Sequence, residues 1–197
     1  LGFLIGDQTI LVGGSDGSVR MFFRLQEEAA RTEDGYRMVM ARELAPQPAG
    51  IIAYDVSQRR KSFVTLDAQG NLWYRHGTSE QVLLRVEQNK PSGDAPVQVV
   101  LMPRDDGASV LDRSGAVDHW SFSVPHPETT WRSIFGEIWY EGYEEPNYTW
   151  QSSSGTDLFE PKFSLVPLIF GTLKATVYSL LFAVPIALLA AIYTSEF

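Results

Sequence analysis

Few residues in this chain have a type and spacing that could do chemistry. Gly13-Gly14-Ser15-Asp16-Gly17 has the glycine density of a phosphate-cradling loop. No Gly-Lys-Ser/Thr follows it, and it lies between two apolar runs, so it reads as a hairpin turn. His76, His119 and His126 lack the spacing of metal ligands. Asp105-Asp106 reads as a solvated turn rather than an acid–base pair. Ser152 to Ser154 precede Gly155 without the strand–turn–helix setting of a nucleophile elbow. Asn147-Tyr148-Thr149 fits a glycosylation acceptor, a pattern short enough to arise by chance. The absence of Cys removes disulfides, thiol nucleophiles, zinc fingers and iron–sulfur ligation together. No residue is expected to be catalytic, to bind a cofactor or to ligate a metal.

Charge narrows the partners. There are 24 Asp+Glu against 16 Lys+Arg, for a net charge of −8. Such a surface cannot neutralise a row of phosphates, so nucleic acid is not an expected partner. The 197 residues allow one or two domains. The chain starts at Leu1 inside a strand-like run, with no signal-peptide pattern, and stops just after an apolar run at Phe197. Both ends read as cuts through a longer protein.

That final run is the strongest physical signal. Ala175 to Ser195 is 21 residues without a charge, bracketed by Lys174 and Glu196. At about 1.5 Å per residue this matches the hydrocarbon core, roughly 30 Å thick, so a membrane-crossing helix is expected. Thr172, Thr176, Ser179, Ala183 and Ala187 recur at spacings of three and four and form one small, weakly polar stripe. Such stripes let helices approach closely in lipid. Pro185 interrupts the backbone bonding in mid-span, which neighbouring helices compensate. These features fit one helix of a bundle, with the stripe and Pro185 as packing or pathway residues. A single-pass anchor is the competing reading.

Upstream, three segments share one pattern: Ile10–Phe23, Phe63–His76 and Ser109–Phe122. Each has an apolar strand, a polar turn ending in Gly17, Gly70 or Gly115, and a second strand with an aromatic. The glycine supplies the positive φ of a tight turn. The glycines stand 53 and 45 residues apart, near the period of a four-stranded propeller blade. Further strands are expected at Tyr36–Ala41, Gly50–Val56, Gln81–Val86 and Val97–Met102. The fold class is therefore mainly β, with about three propeller-like blades over residues 1–124; a β-sandwich is the alternative.

Residues 125–163 read as a junction. Trp131, Ile134, Phe135, Ile138 and Trp139 have helical spacing, and Thr129 or Thr130 can cap the start. An amphipathic elbow helix packed on protein or lipid edge is expected, with a plain closing helix of the β domain as the alternative, followed by a polar linker over residues 151–163. Glu128, Glu137, Glu141, Glu144 and Glu145 are set against Arg132 alone, so attraction to anionic headgroups is not expected.

Residues 158–197 resemble the start of the permease domain of ABC importers, most of all the phosphate-specific permease subunit. The resemblance rests on Val166-Pro167, Gly171-Thr172-Leu173, Ala183-Val184-Pro185 and the closing run Ala191 to Phe197. It covers about a fifth of the chain. It implies that residues 164–197 form the first core helix of a binding-protein-dependent inner-membrane transport domain, with no ATPase of its own. The implied partners are a second permease subunit, an ATP-binding subunit, a periplasmic phosphate-binding protein and membrane lipid. The upstream region is similar to the large insert of a subgroup of bacterial permeases, and would then be periplasmic. The alternative reading is a β-propeller sensor or scaffold on a single membrane anchor, without transport activity.

Overall fold

A computed structural model of the chain describes residues 2–27, 32–87, 95–155 and 160–196. The first sheet runs β1 (Gly2–Phe3), β2 (Thr9–Gly13), β3 (Val19–Gln26), β4 (Tyr36–Leu44) in that spatial order. The second runs β5 (Ile51–Val56), β6 (Ser62–Asp67), β7 (Leu72–His76), β8 (Gln81–Val86). The third holds β9 (Pro96–Leu101), β10 (Gly107–Asp112) and β11 (Val117–Ser121). All neighbours are antiparallel and no sheet closes on itself. Each expected strand is present.

The three repeats are the central hairpins. Val19 pairs with Gly13, Leu72 with Leu66, and Val117 with Leu111. Gly17, Gly70 and Gly115 have φ of 83°, 87° and 86°, the left-handed region that glycine enters without steric penalty.

Alternation along the strands sends alternate side chains to opposite faces, and the sheets stack in chain order. Leu11, Val19, Met21 and Leu44 of the first sheet meet Phe63 of the second. Val64, Leu66, Leu72 and Tyr74 of the second meet Val99, Leu101, Ala108 and Val110 of the third. The middle sheet is covered on both faces, so β6 and β7 are buried end to end. The stack ends in a polar face. Where the second sheet presents Val64, Tyr74 and His76, the matching hairpin positions of the third are Ser109, His119 and Ser121.

The junction departs from the expected helix. Helix α1 covers only Trp131–Phe135. Thr130 caps it: its Oγ1 accepts from Ser133 N at 2.9 Å, and its own N–H donates to Ser133 Oγ at 2.7 Å. Gly136 then turns extended, at φ −100° and ψ 169°, and the helix stops. Ile138 pairs instead with Asn147 and is buried, while Trp139 stands edge-on to Phe23 at 5.1 Å. The burial of Ile138 and the packing of Trp139 on Phe23 of the first sheet outweigh a helical propensity that glycine had already weakened. The expected linker is partly structured: β12 (Trp150–Gln151) pairs with β13 (Lys162–Phe163), while residues 156–159 lie outside the described residues.

Helix α2 (Val166–Glu196) is 31 residues long, about 46 Å. It is long and apolar enough to cross a membrane, and none of its residues is buried.

The hairpin glycines differ in surroundings, which makes their role testable. A Cβ on Gly17 would lie 2.2 Å from Gln47 O and 2.8 Å from Ala49 O, whereas one on Gly115 would meet nothing within 4 Å. Gly115→Ala should cost about 1–2 kcal/mol from backbone conformation alone. Gly17→Ala should cost distinctly more, because backbone atoms must also move. Urea titration in detergent micelles, followed by tryptophan fluorescence, checks the order; equal costs would refute it.

Candidate functional site

Two places could carry function: the surface of α2, and the junction that ties α2 to the sheets. Thr172, Thr176, Ser179, Ala183 and Ala187 lie along one side of α2 and all are exposed. Thr172 Oγ1 donates to Leu168 O at 2.8 Å, and Thr176 Oγ1 to Thr172 O at 2.9 Å. These bonds satisfy the hydroxyls within the helix and leave the stripe smooth enough for close approach. Pro185 lies inside the helix and lacks the N–H that would bond Leu181 O. Larger residues such as Leu181, Phe182 and Leu189 are 64–68% exposed. In water that surface would aggregate, so lipid or other helices must cover it.

The junction is built on charge. Arg42 on β4 and Lys61, just before β6, are both buried, at 7% and 5% exposure. Lys61 Nζ donates to both carboxylate oxygens of Glu141 at 2.7 Å and to Ile5 O. Thr9 Oγ1 donates to the same carboxylate. Arg42 donates to Trp139 O, and its Nε lies 3.6 Å from Glu80 Oε1. The other oxygen of Glu80 accepts from Arg132 Nη1 of α1 at 2.6 Å. Glu160 completes the set: it interacts with Arg42 and Lys61, and burial pushes its carboxyl pKa up against their attraction and the Thr78 hydrogen bond. Its Oε1 is sealed from solvent without a hydrogen-bond partner. Among the described residues, three cations thus face three carboxylates where the sheets meet residues 130–155 and 160–162.

Further contacts pass this anchorage to α2. Ser164 is buried; its N–H donates to Thr149 O at 3.0 Å. Leu165 N–H donates to Ile134 O at 2.9 Å, directly before the first residue of α2. Helix α2 is therefore held through α1, which is held through Arg132, Glu80 and Arg42.

Beside this cluster lies a cleft of about 290 Å³ that Lys61, His76, His126 and Glu160 help to line. His76 is buried, with Nδ1 2.9 Å from Ser79 Oγ, and burial together with Arg42 and Arg60 lowers its pKa to about 3. It is a core histidine. His119 and His126 are exposed, and no group of three acidic or histidine side chains suited to a metal occurs among the described residues. Asp105 corrects the expected solvated turn. It is 8% exposed, its Oδ2 accepts from Ser57 Oγ at 2.8 Å, and burial raises its pKa. The Gly13–Gly17 loop is a hairpin turn with Asp16 Oδ1 accepting from Ser18.

Sequence reasoning missed the ionic junction. Lys61 ends the run Arg59-Arg60-Lys61, which looks like solvated charge, and Glu160 is one acid in a polar stretch. Neither carries a spacing signal, because their oppositely charged partners in this junction lie 80 or more residues away in the chain.

No protein-family model matches the chain, and no curated protein matches it. Among solved structures it is similar to the computationally designed Ika4 protein, at 18% identity and a TM-score of 0.43. The alignment covers 59% of this chain and 62% of that one.

Two outcomes test the junction. Lys61→Met leaves a largely buried carboxylate unpaired and should destabilise the sheets by about 3 kcal/mol; adding Glu141→Gln should recover part of the loss. Denaturant midpoints of the two variants check this, and an additive double variant would refute it. The second outcome concerns pH. A depressed native pKa means that His76 binds no proton when folded but binds one unfolded below about 6.5, so stability falls as pH drops from there toward 3. The loss should reach about 2 kcal/mol at pH 5. His76→Gln should remove that part of the acid sensitivity, and an unchanged slope of stability against pH would contradict the assignment.

Proposed function

We propose that this chain carries part of the permease subunit of an ABC-type importer of the phosphate class. Its β-rich region stands on the periplasmic side of a bacterial inner membrane. The observation that carries the reading is α2: 31 residues, none of them buried, with a small-residue stripe along one side and Pro185 in mid-span. A lone lipid-facing anchor has no use for either feature, whereas a helix packed among others uses both. The likeness of residues 158–197 to the first core helix of such permeases supplies the class of transporter and the solute.

In this reading α2 contributes to the translocation pathway together with a second permease subunit. A separate ATP-binding subunit hydrolyses ATP, and a periplasmic binding protein delivers phosphate. Closure of the ATP-binding subunits rocks the helices between outward and inward access. The three serially stacked sheets support a propeller-like arrangement of blades, for which a closed ring of four or more would need further sheets. The ionic junction gives the β body a firm hold on the outer end of α2, so that a protein docking on the sheets could bias the helix.

The chain has no Cys, so single cysteines report cleanly. In the full-length protein in membranes, Ser179→Cys and Leu181→Cys lie on opposite sides of α2. Ser179→Cys should crosslink to neighbouring helices and Leu181→Cys should not. Ala183→Phe should abolish uptake of radiolabelled phosphate, while Leu181→Phe should preserve it. Equal behaviour of the two sides, with no crosslinks, would replace this reading by a β-rich sensor or scaffold on one anchor.

A further inference from the structure

Among the described residues, the third sheet leaves open an edge that its two sister sheets fill. β3, β7 and β11 are equivalent strands: each begins two residues after its turn glycine. β3 is flanked by β4, and β7 by β8. No strand among the described residues flanks β11 on its outer side. Exposure agrees with this: β3, flanked by β4, exposes two of its eight residues, whereas β11 exposes four of its five.

The backbone bonding defines what the edge offers. Asp112 N–H donates to Ala116 O, and Phe122 N–H to Asp106 O. In an antiparallel ladder these two bonds assign Asp118 and Trp120 to β10, and they point the N–H and C=O groups of Val117, His119 and Ser121 outward. These groups form a free ladder for one more strand. The sisters indicate how it would lie. Val19 and Leu72 pair with Leu44 and Val86, Met21 and Tyr74 with Arg42 and Leu84, always antiparallel. Both ladders shift register at the same point, between Met21 and Phe22 and between Tyr74 and Arg75. A strand on β11 would shift opposite His119 and Trp120.

We propose that this edge of β11 is a docking site for an extended segment of a partner polypeptide, added antiparallel as the fourth strand of the third sheet. The segment alternates apolar and polar residues. Its apolar side chains lie beside Trp120 and extend the core between the second and third sheets, as Leu84 and Val86 of β8 do for β7. Its polar side chains share the face of His119 and Ser121. This inference does not depend on transport.

The probe is a peptide of the β8 sequence, residues 79–87, mixed with the chain in micelles and followed by amide hydrogen exchange. The amides of Val117, His119 and Ser121 should slow about tenfold, with Asp118 and Trp120 slow throughout. His119→Pro removes an outward N–H that the fold does not use, which an edge strand tolerates. It should abolish the slowing while Asp118 and Trp120 stay slow. Where His119→Pro loosens the sheet itself, Ser121→Pro serves in its place. Absence of slowing at millimolar peptide would overturn the proposal. So would equal slowing in the proline variants, or outward amides already slow without peptide.

Discussion

Moving a charged side chain out of water costs several kcal/mol unless an opposite charge and hydrogen bonds meet it. Arg42 and Lys61 are buried at the surface where the sheets end, and the segment after the sheets has to supply what they lack. It does so with Glu141, Glu160 and the Trp139 carbonyl, while Glu80 reaches across to Arg132. The course of residues 130–155 and 160–162 follows from this requirement. So does the position of Ile134 and Ser164, and through them the point at which α2 leaves the body.

The sheets show what local sequence can specify. Turn glycines at positive φ, alternating apolar positions and the spacing of the three repeats all act within a hairpin, so Ile10–Phe23, Phe63–His76 and Ser109–Phe122 were legible as strand–turn–strand units. Helix α2 was legible for the same reason, since length and lack of charge are local properties. The junction was not. Its helical spacing through Trp139 was genuine, but burying Ile138 beside Asn147 and packing Trp139 on Phe23 gains more than extending α1 past Gly136. Asp105 became a buried acceptor because Ser57, 48 residues earlier, meets it. Candidate residues on α2 could be read from their spacing, whereas Lys61 and Glu160 acquire meaning only once the chain has folded.

The physical picture is of a stacked β body with one polar end face, an ionic clamp at its base, and a helix that needs lipid or other helices around it. The charge-free stretch of α2 is long enough to match the hydrocarbon thickness, and Val166 to Lys174, about 13 Å of helix, separates it from the clamp. That segment is short and helical, and it is bonded to α1 at its start. Displacement of the body is therefore passed to the helix rather than absorbed by a flexible tether.

The most direct test of this coupling is a distance measurement. Spin labels at Ser114→Cys, on an exposed turn of the third sheet, and Thr172→Cys, near the start of α2, report on the body and the helix in nanodiscs. The account predicts a narrow distance distribution that broadens when Lys61→Met opens the clamp. A broad distribution in the chain with its clamp intact would show that the helix swings freely, and would contradict the account.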